Sequence, residues 1–313
     1  MCEDNQTEVA EFLLLGFQNL HRFKILLFIV FFLFYIVILN GNLIIIVLIS
    51  INDHLKIPMF YFLKHLAIAD LMITTTIIPM MLEIILKDGI AISVIACRIQ
   101  MHCFAICGIV QCLLIAIMSY DRYVAICNPM RYHSIMELRI CLQMVVWSWL
   151  VVVFGSGEII LVYQLHFCGG NNINHFFCDS GPVLELSTSD TSLLIITDLS
   201  LSILGIFVPF VFIIVTYVLI SFTILHLSSS SRRRKAFSTC SSHLATVCTY
   251  YGSLMTIYLT PSDKRSSNIN KFMSLFYIVA TPLVNPIIYS LRNHQIRKSL
   301  QKSLTKVKTL QLH

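Results

Sequence analysis

The 313 residues are 57% hydrophobic and only 12% charged, with a mean hydropathy of +0.81 and a net charge of +6. Soluble domains are nearer half apolar and one quarter charged, so there is too little charge here to cover a water-soluble body. The same balance excludes a disordered chain, a coiled coil, a nucleic-acid binder and a small disulfide-rich scaffold, and leaves an integral membrane protein.

The chain opens on an acidic stretch (Glu3, Asp4, Glu8, Glu11) that carries the sequon Asn5-Gln6-Thr7. It has no basic n-region or cleavage site, so no removable signal peptide is expected. A membrane helix needs about 20 mostly apolar residues, and seven stretches qualify: Ile25–Ser50, Ile57–Leu86, Ile92–Ile126, Ile140–Tyr163, Leu193–Leu227, Ala236–Leu259 and Phe272–Leu291. Connectors are short except between spans four and five. Asn42 lies in span one and Asp70 in span two. Span three ends in Met118-Ser119-Tyr120-Asp121-Arg122-Tyr123-Val124-Ala125-Ile126-Cys127, and an Asp-Arg pair at that depth must be paired or face water. Span seven carries Pro282-Leu283-Val284-Asn285-Pro286-Ile287-Ile288-Tyr289. Its inner proline frees a carbonyl and kinks the helix, and the asparagine can re-satisfy backbone locally.

Basic residues choose the orientation. With the C-terminus inside, the inner segments hold 14 bases (Lys56, Arg122, Arg131, Arg139, Arg232, Arg233, Arg234, Lys235, Arg292, Arg297, Lys298, Lys302, Lys306, Lys308) against Asp53, Asp121 and Glu137. The outer segments hold seven bases against nine acids. The expected organisation is an outer N-terminus over 1–24, a seven-span domain over 25–291 and a cytoplasmic helix and tail over 292–313. This orientation puts Asn5 outside, where it can be glycosylated. In the tail, Ile296, Leu300 and Leu304 recur every four residues among Arg297, Lys298, Lys302 and Lys306, the pattern of a short amphipathic helix on the inner leaflet. No cysteine follows Cys248 to anchor it. The Ser228–Lys235 run can meet a G protein, accept phosphate or rest on anionic lipid, and these readings coexist.

These motifs together resemble the rhodopsin-like G-protein-coupled receptors and, within them, the odorant receptors. Further segments carry the likeness: Phe12-Leu13-Leu14-Leu15-Gly16-Phe17, Gly41-Asn42, Ile57-Pro58-Met59-Phe60-Tyr61-Phe62-Leu63, Pro129-Met130-Arg131-Tyr132, His175-Phe176-Phe177-Cys178-Asp179 and Lys235-Ala236-Phe237-Ser238-Thr239-Cys240-Ser241-Ser242-His243-Leu244. The resemblance implies an all-α membrane protein, a seven-transmembrane helix bundle with a short amphipathic C-terminal helix. It implies a small volatile odorant as ligand, a Gs/olfactory-type heterotrimeric G protein as partner, a rise in cAMP, no cofactor, trafficking chaperones, and residence in the lipid bilayer of olfactory neuron cilia. Activation would use Asp121, Arg122, Tyr123, Tyr217, Asn285, Pro286 and Tyr289. A Cys97–Cys178 bridge would pin the second outer loop, and a sodium ion would sit near Asp70. Three departures stand out. Gln111 replaces the family's usual Glu, which should weaken that sodium site. Tyr250-Tyr251-Gly252 replaces Phe-Tyr-Gly. Thr188 replaces a third loop cysteine and leaves Cys168 as an expected free thiol.

Ligands of such receptors lie between the outer halves of spans three, five, six and seven. Helical spacing from the matched motifs puts Phe104, Ala105, Gly108, Ile109 and Cys112 on the inward stripe of span three, and Leu201, Ser202, Gly205 and Ile206 on that of span five. Tyr251, Leu254, Met255 and Tyr258 follow in span six, and Leu275 and Ile278 in span seven. The stripe is apolar with the hydroxyls of Ser202 and Tyr258, which suits a volatile with one polar handle. Phe104 occupies the place where an amine would want a carboxylate. Glu158 and Asp198 either face the vestibule or reach the outer headgroups. Met101-His102-Cys103 and His175-x-x-Cys178-Asp179 look like soft-metal ligand sets, although packing and a disulfide explain them more simply. An endogenous metabolite is an alternative ligand. A transporter would need internal repeats and a polar lumen, and neither these nor any catalytic constellation is visible.

Overall fold

The computed structural model describes residues 8–17, 23–155, 158–259, 267–292 and 296–301. Seven long helical spans form one bundle: Lys24–Ile51, Pro58–Lys87, Val94–Cys127, Leu138–Gly155 continued by Glu158–Tyr163, Ser192–Leu225, Ser230–Leu259 and Ser267–Arg292. Pro58 sits in the first turn of span two, where its missing N–H has no intrahelical acceptor to serve. Ser93 caps span three by accepting from Ala96 N–H at 3.2 Å. Apolar side chains also cover the outside of the bundle: Leu26, Ile29, Leu33 and Val37 form one exposed stripe along span one. Such a stripe needs lipid rather than water around it.

Among the described residues, six of these helices are long and apolar enough to cross a membrane. The exception is span six, whose membrane part carries Ser241, Ser242, His243, Thr246, Thr249 and Ser253, and which begins with the polar extension Ser-Ser-Arg-Arg-Arg-Lys at Ser230, ahead of the apolar run expected from Ala236. Arg233 from this polar extension donates to Leu227 O at 3.1 Å and Leu225 O at 3.3 Å. It thereby satisfies carbonyls that the end of span five leaves without partners.

Pro286 frees the carbonyl of Pro282, and the polar partner comes from another helix: Asn42 Nδ2 donates to Pro282 O at 3.0 Å. Asn285, expected to mend the backbone locally, instead donates to Asp70 Oδ2 at 3.0 Å. The two asparagines therefore lock spans one, two and seven together through buried hydrogen bonds.

The outer side is closed by a small sheet that hydropathy does not reveal. β1 (Glu11–Leu14) is the central strand, antiparallel to β2 (Ile90–Ser93) with Glu11 opposite Ser93, and parallel to β3 (Asn172–Ile173) with Leu13 opposite Asn172. Phe12 and Leu14 alternate inward and are buried, as a pleated strand requires. The strand exits at Gly16 with φ +60, a left-handed turn that glycine adopts freely. A Cβ there would also meet Ile84 Cγ2 at 2.2 Å.

Lys271, at the outer end of span seven, is 2% exposed and donates to Gly16 O at 2.8 Å and Asn174 Oδ1 at 2.6 Å. One ammonium thus ties the N-terminal strand, the second outer loop and span seven. Lys271→Met keeps the methylenes and removes both donations, at about 1–3 kcal/mol each for hydrogen bonds to a charged group. Amide exchange over 11–17 should accelerate at least tenfold in this variant. Unchanged protection would show that the tie is dispensable.

On the inner side, the expected amphipathic helix is helical over its described part, 296–301. Ile296 is 1% exposed and packs into the bundle core rather than onto the leaflet, and Ser299 Oγ lies 2.8 Å from His54 Nε2 of the first inner loop. Leu304 lies outside the described residues.

Candidate functional site

A cavity of about 210 Å³ opens between the outer halves of spans three, five, six and seven. It lies below the ~300 Å³ lower end of pockets for drug-sized ligands, so its occupant is small. Of the residues placed on the stripe by spacing, Phe104, Ala105, Gly108, Ile109, Leu201, Ser202, Ile206 and Leu254 line it. The others do not reach it. Cys112 lies fully buried beneath the floor, with Sγ 3.3 Å from Tyr250 Oη. Tyr251 turns its ring toward Phe210 at 4.8 Å. Gly205 lies against Ile109, where a Cβ would stand 2.8 Å from Cγ2, so this helix–helix approach requires glycine. Met255 is half-buried, and Leu275 and Ile278 pack into the core. The side chain of Tyr258 lies outside the described residues.

Spacing missed the rest of the lining. Span seven contributes Ser274 and Tyr277, one residue before the expected Leu275 and Ile278, a rotation of about 100°. Span six contributes Tyr250 beside the expected Tyr251. Met101 and His102 extend the stripe one turn up span three, and Asp198 takes the vestibule alternative in span five. The loop supplies Phe177, Cys178, Asp179 and Ser180 as a roof. A π-helical turn at Ile203–Phe207 separates Ser192–Ser202 from Val208–Leu225. Such wide turns recur at functional sites, and this one brings Ser202 and Ile206 to the same wall.

The roof is fastened to span three twice. Cys97 and Cys178 form a disulfide, and Cys178 N–H donates to Gln100 Oε1 at 2.8 Å. Asp179 then caps the short helix Ser180–Glu185 by accepting from Ser180 N–H at 3.1 Å. Burial pushes its carboxyl up to about 6, with Asp198 nearby raising it further against that hydrogen bond. The expectation of a free thiol at Cys168 is overturned, since this cysteine is disulfide-bonded. The N-terminal strand lies alongside it, Glu8 pairing with Cys168 and Val9 N–H donating to Phe167 O at 3.0 Å. Thr188, in place of a loop cysteine, donates to His166 O at 3.1 Å.

From the cavity floor a hydrogen-bonded chain runs inward. Tyr250 donates to Gly108 O at 2.7 Å, and its Oη lies 3.4 Å from that of Tyr277. Tyr277 donates to Gln111 Oε1 at 2.9 Å, and Gln111 Nε2 donates to Asp70 Oδ1 at 2.8 Å. With Asn285 on its second oxygen, Asp70 is fully buried and both its oxygens accept from neutral amides. A sodium ion expected here would have to compete with the Gln111 and Asn285 amide donors for both carboxylate oxygens, so the residues around Asp70 fit an ion poorly. The soft-metal sets fare no better: among the described residues no group of three His, Cys, Asp or Glu side chains could hold a metal ion, and Cys178 is committed to its disulfide.

At the inner end, Asp121 is fully buried and ion-paired to its neighbour Arg122, whose Nε donates to Oδ2 at 2.9 Å. Tyr132 of the inner loop donates to Asp121 Oδ1 at 2.8 Å. Burial and the Asp121 carboxylate together push the Tyr132 hydroxyl well above the usual phenol range. Tyr217 Oη lies 2.6 Å from His243 Nδ1, which joins spans five and six, and Tyr123 packs against Tyr120 with ring centroids 6.3 Å apart. Asn285 and Pro286 lie in the buried inner part of span seven. The side chain of Tyr289 lies outside the described residues, as does Asn5 with its sequon.

A cavity open toward one face, a buried arginine–carboxylate pair at the other and a polar chain leading inward from the cavity floor are the arrangement of a seven-helix membrane receptor. The olfactory receptor family profile matches residues 31–307. Human olfactory receptor 11L1 is 43% identical over 303 residues, 96% of this chain and 94% of the relative. Human olfactory receptor 10A7 is 41% identical over 97% of this chain and 96% of its own length, and mouse olfactory receptor 5P81 is 43% identical over 96% of each. The chain belongs to the olfactory receptor family of G-protein-coupled receptors. It is a multi-pass membrane protein and not an enzyme.

Proposed function

We propose that this receptor binds small volatile odorants in the cavity between spans three, five, six and seven and answers by activating a Gs/olfactory-type G protein, which raises cAMP. The observation that carries the reading is the polar chain from Tyr250 and Tyr277 on the cavity floor to Asp70 and Asn285. A ligand that repacks the two tyrosines shifts hydrogen bonds shared by spans two, three, six and seven. A signal follows only if the odorant binds the active arrangement more tightly than the resting one. Release of Arg122 from Asp121 then frees a cation for the G protein. The excess of basic residues supports an extracellular N-terminus and a cytoplasmic C-terminus in the plasma membrane, with Asn5 glycosylated. Olfactory cilia and trafficking chaperones follow from the family alone.

The test is a cAMP assay normalised to surface display, with a panel of volatile alcohols, aldehydes, ketones, esters, amines and thiols applied to wild type and Arg122→Ala. Wild type should respond to at least one class, and the variant, displayed equally, should lose the response. A displayed wild type that answers no volatile overturns the odorant reading.

A further inference from the structure

The cavity holds more negative charge than a pocket for neutral volatiles needs. Two carboxylates, Asp179 and Asp198, line its upper part, and no lysine or arginine lines it. Among the described residues neither acid has an ion-pair partner. Asp179 gives one oxygen to Ser180 N–H, and its raised titration reflects burial and the facing Asp198. His102 Nε2, buried with no hydrogen-bond partner, is a third acceptor in the tautomer that carries its proton on Nδ1. Arg98, a turn above His102 on span three, is engaged elsewhere: it donates to Leu165 O at 2.8 Å and lies over the rings of Tyr163 and Phe167.

Unpaired acids in a membrane-embedded cavity are expensive and mark function. A cation between them would replace repulsion with charge-assisted hydrogen bonds. A transition-metal ion does not fit, because no group of three His, Cys, Asp or Glu side chains among the described residues could hold one, and the apolar walls below the acids select an organic cation. Below Asp198, on the same face of span five, come Leu201, Ser202 and Ile206, reaching about 12 Å deeper at 1.5 Å per residue. Ile109 and Phe104 close the opposite wall. The geometry is that of a carboxylate mouth above an apolar shaft.

We infer that the ligand class of this receptor is the small aliphatic primary amine, its ammonium held between Asp198 and Asp179 and its alkyl tail in the shaft toward Tyr250 and Tyr277. This inference rests on the odorant reading and narrows it. A primary ammonium offers three N–H donors, one each for Asp198, Asp179 and His102 Nε2. An alcohol of the same length fills the shaft but leaves the two acids facing each other.

The test compares hexylamine, hexanol, hexanal and N-hexylacetamide at neutral pH, in cells displaying wild type or Asp198→Asn. Wild type should answer hexylamine at a concentration at least about tenfold lower than hexanol or the acetamide. Asp198→Asn should raise the hexylamine midpoint by about tenfold and shift the hexanol midpoint by far less. If Asp198→Asn fails to reach the surface, the amine-to-acetamide ratio on wild type decides alone, because the two differ in charge on one chain. Responses to hexanol or hexanal without a preference for hexylamine overturn the amine assignment and leave the odorant reading standing. Equal losses for amine and alcohol in Asp198→Asn overturn it as well. Silence toward every compound in displayed receptor overturns both.

Discussion

Serine in place of Cys97 or Cys178 is expected to abolish surface display and, with it, any odorant response. The disulfide closes a stretch of 81 residues, for which loop-closure entropy sets a ceiling of about 4–5 kcal/mol. Helices already formed in the membrane reduce that figure, but a domain stable by about 5–15 kcal/mol feels even half of it. The position of the bridge adds to the loss. Cys178 is flanked by Phe177, Asp179 and Ser180, all in the cavity lining, so the untied loop takes the roof of the ligand site with it. The Gln100 hydrogen bond to Cys178 N–H remains, though one neutral hydrogen bond contributes only about 1 kcal/mol. Because both single variants remove the same bond, Cys97→Ser, Cys178→Ser and the double variant should lose display to the same extent. The double variant also excludes mispairing by the leftover thiol. Flow cytometry of an N-terminally tagged receptor reads the result, and wild-type display in the double variant would refute the structural role.

How much of this was legible beforehand differs from element to element. Hydropathy locates seven spans because lipid demands continuous apolar runs, and their observed bounds follow those runs closely. Span six exceeds its apolar stretch because the turns from Ser230 to Lys235 are held by carbonyl contacts and helix continuity rather than by lipid. Helical periodicity finds the walls of spans three and five, where the matched motifs lie on the same continuous helix face. It misses by one residue in span seven, where Pro282 lies inside the helix between Asn285 and the cavity and a proline bend shifts the count. The β-sheet escapes altogether, since strands of two to four residues carry too little alternation to read and their partners lie far along the chain; of the roof, only the Cys97–Cys178 tie is expected beforehand. For Cys168, Thr188 in place of a loop cysteine points to a free thiol, because loop spacing says nothing of the N-terminal segment that pairs beside Cys168 through Glu8. Asp198 could be placed near the outer end of span five, but only packing decides whether it faces the cavity or the lipid headgroups.

Gln111 carries the other large expectation. Its amide donates to Asp70 Oδ1 and accepts from Tyr277, so one neutral side chain serves both a carboxylate and a hydroxyl in a fully buried position. Gln111→Glu preserves the size and turns the donor into an acceptor. Two carboxylates would then face each other where their predecessors stood 2.8 Å apart. Like charges at that separation cannot both persist in a low-dielectric interior, and either a proton or a cation must enter. Oxygen atoms from both acids, with Asn285 close by, make a set of hard ligands suited to sodium. Wild type should therefore be indifferent to exchange of sodium for N-methylglucamine, in thermal unfolding of the solubilised receptor and in basal cAMP. Gln111→Glu should be destabilised in N-methylglucamine and regain stability as sodium is added, by about 1.4 kcal/mol at ten times the dissociation constant. Sodium-dependent unfolding of wild type would mean that the Gln111 amide does not hold Asp70 as described. A variant equally stable in both salts would mean that a proton, rather than a metal ion, resolves the pair. The same substitution breaks the polar chain below the cavity floor, because it removes the amide that donates to Asp70 Oδ1. Its maximal odorant response should fall even where sodium restores its stability, which separates the two functions that one glutamine amide now combines.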